Sequence, residues 1–251
     1  MVHIVGAGPG DPELITVKGQ RYLQAADVVI YAGSLVNPQL LDYCKEGAQI
    51  HNSASMTLDD VVAVIRQAEQ DGLMTVRLHT GDPSVYGAIQ EQMDAFQKND
   101  IDFDVIPGVS SCFAAAAALK QEYTLPGISQ TVIITRNEGR TPVPEREKLR
   151  SLAQHQSTMC IYLSITMLDQ VVAELIAGGY RAETPIAIVQ RASWPEQKIV
   201  RGTLASIVKD IEQENIDRTA MIVVSNCLGA DYELSRLYAP EFSHMFRKAS
   251  K

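Results

Sequence analysis

Three short segments rich in glycine and proline carry the side chains best suited to binding a small ligand. They are "VGAGPGDP" beginning at Val5, "HTGDPSVYG" beginning at His79 and "IPGVSS" beginning at Ile106. Each follows an apolar run and precedes a run with helical spacing, so each predicts a strand-to-helix turn. Backbone N–H groups at such turns suit the polar or carboxylate groups of a ligand. Taken singly, each segment fits plain helix capping equally well; together, they predict a ligand crevice.

The first segment also resembles a dinucleotide-binding loop, but the details disfavour that interpretation. The third glycine of that motif would fall at Asp11, and Pro9 and Pro12 each remove a backbone N–H group. The second apolar run ends at Gly33 without the acid that would hold a ribose. The alternative is a tight turn in which Asp11 caps a helix that has Pro12 at its first position.

The elements that must position these segments alternate between short apolar runs and longer helical patterns. This alternation predicts a mainly parallel α/β domain over residues 1–121, with helices over residues 12–24 and from Ser84 onward. Pro126 and Gly127 follow as a linker. A second series of strands and helices predicts a mixed α/β domain over residues 122–251, with a hairpin at residues 193–198.

The composition limits the partners of this chain. It has 251 residues and a formal net charge of −8, which disfavours nucleic acid and anionic membranes as partners. The longest apolar stretch, residues 113–119, is too short to span a bilayer, and no targeting signal is visible. The four cysteines are widely separated, which predicts free thiols in a reducing cytoplasm and no protein-bound metal.

Seven blocks resemble the tetrapyrrole (corrin/porphyrin) methylases over nearly the whole chain and in the family's order. The blocks are "VGAGPGDPELIT", "ADVVIYAGSLV", "HTGDPSVYG", "IPGVSS", "ITRNEGRTPVPE", "QRASWPEQKIVRGTL" and "TAMIVVS". The resemblance implies a homodimer of two-domain subunits with the active site in the interdomain cleft. It also implies S-adenosyl-L-methionine as methyl donor and a small-molecule tetrapyrrole as substrate.

Within the family, "YAGSLV", "GRTPVPE", "ASWPEQKIVRGTL" and "SRLYAPEF" are most similar to members that methylate C11 of precorrin-4. "TGDP" and "RTPVPE" favour the cobalt-containing substrate of the anaerobic route to cobalamin. Open alternatives are metal-free precorrin-4, another macrocycle position, or another substrate such as ribosomal RNA or a modified histidine. Outside this class, the alternatives are a nucleotide-dependent oxidoreductase and a donor-binding regulator without catalysis.

The resemblance also implies which residues bind the donor. Leu163 and Ala192 lie in or beside apolar runs and suit a hydrophobic core equally well. The residues carried over by motif are Pro9, Thr80, Gly81, Asp82, Val85, Ser110, Ser111, Leu163, Ala192 and Ala220.

Two departures from related methylases leave the catalytic residues unknown. Some uroporphyrinogen-methylating members carry an Asp where this chain has Gly33, and a Lys where it has Ser53. Asp82 is the nearest carboxylate in the motifs, but a capping role competes with a role as base.

Arginines are the side chains expected to hold the substrate. A tetrapyrrole carries many carboxylates, so an acidic protein needs a local basic patch for it. Arg136, Arg140 and Arg191 lie at predicted strand ends or in a nearby loop, and these three are the predicted substrate-binding residues. His79 and Trp194 are expected to be a satisfied strand-end histidine and a packing residue.

Overall fold

The computed structural model describes residues 1–229 and 232–250. The chain forms two compact units. The first contains Met1–Ala114 together with Arg191–Gln197, and the second contains Ala115–Gln190 and the chain from Lys198 onward. These are packing units, and the domain division between residues 121 and 122 stays a prediction.

The first unit is built on a five-stranded parallel sheet in the order β3-β2-β4-β1-β5. Strands β4 and β5 therefore flank β1, and the carboxyl ends of these three neighbours lie at one edge of the sheet. The elements in chain order are β1 Val2–Gly6, α1 Val17–Ala25, β2 Val28–Tyr31, β3 Gln49–Asn52, α2 Leu58–Gln70, β4 Thr75–His79, α3 Gln90–Lys98, β5 Phe103–Ile106 and α4 Ser111–Leu119, of which the residues from Ala115 onward belong to the second unit.

Alternating side chains of β1 build two cores, one on each face of this sheet. Val5 belongs to the core that contains Leu23 of α1. Ile4 belongs to the core that contains Ile65 of α2 and Phe96 of α3. Because successive strand residues face opposite ways, one buried strand anchors helices on both faces.

Two predicted helices begin later than the sequence pattern indicates. Asp11 caps only the short 3-10 helix Pro12–Leu14, and α1 starts after Thr16, whose hydroxyl accepts from the backbone N–H of Gly19. Helix α3 starts at Gln90 rather than at Ser84. The residues before it form a turn, because Tyr86 and Ala88 have left-handed backbone with φ of 56° and 49°.

The second unit has a mixed sheet in the order β6-β7-β10-β8-β9. Strands β6 and β7 are parallel, and every other neighbouring pair is antiparallel, including the predicted β8–β9 hairpin. The elements are β6 Val132–Arg136, α5 Leu149–Ala153, β7 Thr158–Tyr162, α6 Leu168–Ala177, β8 Pro185–Gln190, β9 Lys198–Thr203, α7 Ile207–Ile211 and β10 Ala220–Val224. A parallel first sheet and a mixed second sheet confirm the predicted α/β class.

One hydrophobic core supports the second sheet. It joins Ile161 and Ile222 of the central strands to Leu149 of α5, Leu175 of α6 and Ile207 of α7. In the part of the chain that the structure describes, no helix is long and apolar enough to cross a membrane.

Candidate functional site

The three predicted ligand segments meet in the first unit at the carboxyl ends of β4, β1 and β5. We call them the β1 loop (residues 7–11), the β4 loop (residues 80–89) and the β5 loop (residues 107–110). Gly8 and Gly81 exchange two backbone hydrogen bonds, with N···O distances of 3.2 and 2.8 Å. A Cβ atom at Gly108 would lie 2.1 Å from the Gly81 carbonyl oxygen and 2.8 Å from Gly6 Cα. The loops therefore pack backbone against backbone, which only glycine allows at these positions.

Asp82 fastens the β4 loop to the β5 loop. Its Oδ2 accepts from the backbone N–H of Gly108 at 2.9 Å. Its Oδ1 accepts from the backbone N–H of Ser84 at 2.9 Å and also from the Ser84 hydroxyl. Burial raises the pKa of Asp82, but these hydrogen bonds outweigh burial and leave the pKa below its ordinary value. Asp82 is therefore an ionised acceptor that stabilises the loops, and it caps the turn at Ser84 rather than helix α3.

Two polar atoms at the end of β4 are buried without a partner among the described residues. They are the Thr80 hydroxyl oxygen and His79 Nε2. The side chain of His79 is 4% exposed, so the prediction of a fully satisfied strand-end histidine is met only in part. A buried polar atom without a partner costs free energy, which a bound ligand can recover.

Trp194 covers the β1 loop, a contact that sequence reasoning missed. Its indole Nε1 donates to the Pro9 carbonyl at 3.0 Å. The neighbouring Ser193 hydroxyl accepts from the backbone N–H of Asp11 at 3.0 Å. A Cβ atom at Gly10 would lie 1.9 Å from Trp194 Nε1, so the ring occupies the space that a side chain at Gly10 would need.

Arg191 and Ala192 belong to the same segment of the first unit. Arg191 has left-handed backbone, with φ of 46°. Its guanidinium lies 5.6 Å from the centroid of the Trp194 ring and pairs with Glu196 at 3.6 Å. Ala192 is buried. The predicted substrate arginine thus stacks on the ring that covers the β1 loop.

In the second unit, Leu163 and Ala220 lie at one edge of the sheet. Ile222 pairs with Ile161 in antiparallel register, so Ala220, the first residue of β10, and Leu163, the residue after β7, lie at the same end of this strand pair. Leu163 is 64% exposed and has φ of 53°. An exposed leucine with left-handed backbone is strained, and such strain concentrates at functional sites.

The side chain of Arg136 braces the loop that follows β6. Its guanidinium donates to the carbonyls of Asn137, Thr141 and Pro142 at 3.2, 3.1 and 2.8 Å. Arg140 lies in this loop and is exposed. Of the two predicted substrate arginines here, Arg136 shapes the loop and Arg140 presents its charge to solvent.

The space at Gly33 is filled by another side chain. A Cβ atom there would lie 2.1 Å from the Asn52 amide oxygen. The Ser53 hydroxyl donates to the Tyr31 carbonyl at 3.1 Å. The Ser53 hydroxyl thus bonds to the end of β2, and the Asn52 amide occupies the space beside Gly33.

The family described as "Tetrapyrrole (Corrin/Porphyrin) Methylases" matches residues 1–208. The chain belongs to this family. The predicted resemblance is thereby confirmed, and the glycine-lined loops described above are those of a tetrapyrrole methylase.

Relatives within the family resemble the chain over its full length. The cobalt-precorrin-4 C(11)-methyltransferase of Methanocaldococcus jannaschii is 59% identical over 251 residues, which is 100% of this chain and 97% of the relative. The protein of the same name from Priestia megaterium is 46% identical over 100% of this chain and 98% of its own length.

Solved structures of tetrapyrrole methylases share the fold. A cobalt-precorrin-4 methyltransferase has a TM-score of 0.89 and 47% identity, and the match covers 91% of this chain and 96% of the other. The uroporphyrin-III C-methyltransferase of Thermus thermophilus, solved with S-adenosylhomocysteine, has a TM-score of 0.75 and 25% identity, over 90% and 92% of the two chains.

Proposed function

We propose that this protein transfers a methyl group from S-adenosylmethionine to C11 of cobalt-precorrin-4, giving cobalt-precorrin-5A in cobalamin biosynthesis. The observation that carries the proposal is the 59% identity, over the full chain, to a relative with this printed activity. The glycine-lined loop cluster supports it, because the backbone N–H and C=O groups at these strand ends suit the polar groups of a methyl donor.

The first unit fits the methyl donor. Gly6, Gly8 and Gly108 let the three loops pack backbone against backbone, which brings the N–H and C=O groups at three strand ends within reach of one ligand. The unpartnered Thr80 hydroxyl can hydrogen-bond a polar group of the donor's amino acid or ribose. The predicted donor contacts, including Val85, Ser110, Ser111, Leu163, Ala192 and Ala220, stay predictions.

The residues of this chain act by binding and orientation. When bound, S-adenosylmethionine supplies an electrophilic methyl group, whose bond to sulfur breaks as a bond to the macrocycle carbon forms. Holding two reactants at attack distance can supply roughly 7–11 kcal/mol of the barrier. Asp82 has a lowered pKa, which makes it a weak base, so its hydrogen bonds to Gly108 and Ser84 are its proposed contribution.

The decisive experiment is incubation with methyl-labelled donor and cobalt-precorrin-4, followed by NMR of the product. We expect label at C11. Label at another carbon rejects the assigned position, and faster turnover of metal-free precorrin-4 rejects the cobalt-containing substrate. Calorimetry with S-adenosylhomocysteine and NADH separates the other classes, since tight binding of NADH alone indicates an oxidoreductase.

Donor binding should change the fluorescence of Trp194, the single tryptophan of the chain. Its indole N–H bonds to the Pro9 carbonyl of the β1 loop, so a ligand at this loop alters the environment of the ring. We expect a saturable change on titration with S-adenosylhomocysteine. Trp194→Phe keeps the ring face but loses the hydrogen bond, and calorimetry should show donor affinity lower by about fivefold. Unchanged affinity in Trp194→Phe would contradict this role.

Arg140→Ala should raise the KM for the tetrapyrrole by about fivefold and leave donor affinity unchanged, because Arg140 presents an exposed charge. Arg136→Ala removes three hydrogen bonds to loop carbonyls and should raise the same KM by more. Steady-state kinetics with each substrate varied in turn measure both effects. Arg146→Ala, at an exposed arginine of the same region, is the control. A KM in Arg140→Ala equal to that of this control argues against substrate contact.

We further propose that the protein works as a cytoplasmic homodimer without a protein-bound metal, as the family resemblance implies. No disulfide joins the four cysteines in the part of the chain that the structure describes, which suits a reducing compartment. Sedimentation equilibrium and metal analysis of the purified protein test the assembly and the metal content.

A further inference from the structure

The β4 loop is held in a strained conformation. Tyr86 and Ala88 both have left-handed backbone, at φ of 56° and 49°. Gly87 between them has no room for a side chain, since a Cβ atom there would lie 2.2 Å from the Pro83 carbonyl oxygen. Residues other than glycine persist in this region only where their surroundings impose it. Some contact must therefore hold Ala88 in place.

That contact comes from Gln92, one turn into α3. Its amide nitrogen donates to the Ala88 carbonyl at 3.0 Å. Its amide oxygen accepts from Arg77 Nε at 3.0 Å. A side-chain amide is the neutral group that donates and accepts at once, and both ends of this one are used. Gln92 is 6% exposed, so water competes little for either bond.

Arg77 fixes the other end of this connection. It lies in β4, is 6% exposed, and its Nη1 donates to the Ile30 carbonyl of β2 at 3.1 Å. Burial lowers the pKa of Arg77 to about 10, so the guanidinium remains charged at neutral pH. No ion pair to Arg77 occurs among the residues that the structure describes. The charge of Arg77 therefore strengthens the hydrogen bond from its Nε to the Gln92 oxygen, because charge-assisted hydrogen bonds are stronger than neutral ones.

His79 adds no competing charge to this cluster. Burial, together with the nearby positive charge of Arg77, lowers the pKa of His79 to about 3. The imidazole is therefore neutral at neutral pH.

We propose that Gln92 is a positioning residue for methyl-donor binding, which holds the β4 loop through the chain Arg77–Gln92–Ala88. The loop carries Thr80, Gly81, Asp82 and Val85, the predicted donor contacts, so the inference rests on the proposed function. Gln92 itself touches no reacting group. Gln92 instead sets the fraction of molecules in which the β4 loop has the binding conformation. Donor affinity falls in proportion when this fraction falls.

The variant Gln92→Glu distinguishes a role of Gln92 in positioning the β4 loop from a contribution of Gln92 to the stability of the fold. The carboxylate still accepts from Arg77 and adds a charge partner, so we expect thermal stability to be kept. It has no proton to donate to Ala88, and it repels that carbonyl. We expect the Kd for S-adenosylhomocysteine to rise about tenfold, the KM for the donor to rise with it, and kcat at saturating donor to stay near wild type. Gln97→Glu, at an exposed glutamine of the same helix, is the matched control.

A second substitution tests the strain directly. Glycine adopts the left-handed conformation without steric cost, so Ala88→Gly added to Gln92→Glu should recover part of the lost affinity. Hydrogen exchange should be faster at residues 83–89 in Gln92→Glu than in Gln97→Glu. If Gln92→Glu fails to fold, Gln92→Met, of similar length and without either polar atom, takes its place in the same comparison.

Donor binding by the wild type and by the Gln92 variants tests the proposed function and the positioning role separately. A wild-type protein that does not bind S-adenosylhomocysteine contradicts the proposed function. A wild-type protein that binds it, with Gln92→Glu or Gln92→Met binding as tightly as Gln97→Glu, overturns the positioning role alone.

Discussion

Replacing Gly108 with alanine is expected to abolish measurable donor binding and to lower the free energy of unfolding by about 3 kcal/mol or more. The added Cβ atom would lie 2.1 Å from the Gly81 carbonyl oxygen and 2.8 Å from Gly6 Cα. Both neighbours are backbone atoms, one in the β4 loop and one at the end of the buried strand β1, so neither can rotate away. The only relief is separation of the β5 loop from the β1 and β4 loops, which also breaks the bond from the Gly108 N–H to Asp82.

Calorimetry with S-adenosylhomocysteine and a thermal melt measure the two effects. Gly229→Ala is the matched control, because a Cβ atom there makes only an ordinary contact, 3.8 Å from Pro185 Cγ. We expect this control to melt and bind donor as the wild type does. If Gly108→Ala behaved like Gly229→Ala, the close approach of the three loops, and the donor site built on it, would be wrong.

The convergence of these loops was predictable from the sequence. Alternating apolar and helical runs predict parallel strands, and the carboxyl ends of parallel strands share one sheet edge. No local sequence pattern specifies that β4 and β5 flank β1. The prediction of a ligand crevice needed only that the carboxyl ends of the parallel strands lie at the same edge of the sheet. Asp11 and Pro12 likewise fixed the first turn through their own chemistry, although the turn is a 3-10 helix that ends at Leu14.

Contacts distant in the chain could not be predicted in this way. Trp194 reaches Pro9 across 185 residues, and its segment belongs to the first unit although it connects two strands of the second. Arg136 has the residue type and position of a substrate ligand, but its guanidinium turns back onto three carbonyls of its own loop. The direction of a side chain depends on how it packs in the folded protein, and the spacing of residues along the sequence does not encode that packing.

The start of α3 shows a local pattern overridden by tertiary contacts. Val85, Ile89 and Met93 have helical spacing, yet residues 83–89 form a turn with two left-handed residues. The bond from Gln92 to Ala88 and the crowding of Gly87 against Pro83 support that turn. Strand β3 and helix α2 were not predicted. Strand β3 is mostly exposed and lacks an apolar signal, whereas α2 has helically spaced Val61, Ile65 and Ala68 after a capping box, a helix signal that the sequence does contain. The identity of the substrate rests on family resemblance, because the three loops by themselves predict only a small ligand with polar or carboxylate groups.

Asp82→Ala should raise the Kd for S-adenosylhomocysteine about thirtyfold while kcat at saturating donor changes by less than about threefold. The substitution removes the acceptor for the N–H groups of Gly108 and Ser84 and for the Ser84 hydroxyl, and bonds to an ionised acceptor are worth more than neutral ones. Asp82→Asn keeps one acceptor oxygen, so its Kd for S-adenosylhomocysteine should rise by only about fivefold. If Asp82 were instead the base, both variants would lower kcat by about a hundredfold or more and leave donor affinity unchanged.

The pH dependence of stability distinguishes these roles a second time. The pKa of Asp82 is lower in the folded protein than its ordinary value of 3.8, so its stabilising effect is present at neutral pH and is lost as the pH falls through the folded pKa. The difference in Tm between wild type and Asp82→Asn should therefore be constant from about pH 8 to about pH 5 and shrink below about pH 4. A difference that disappeared near neutral pH would mean that the carboxyl has a raised pKa. Such a carboxyl would suit proton transfer, whereas one ionised throughout this range serves to keep the β4 and β5 loops together around the methyl donor.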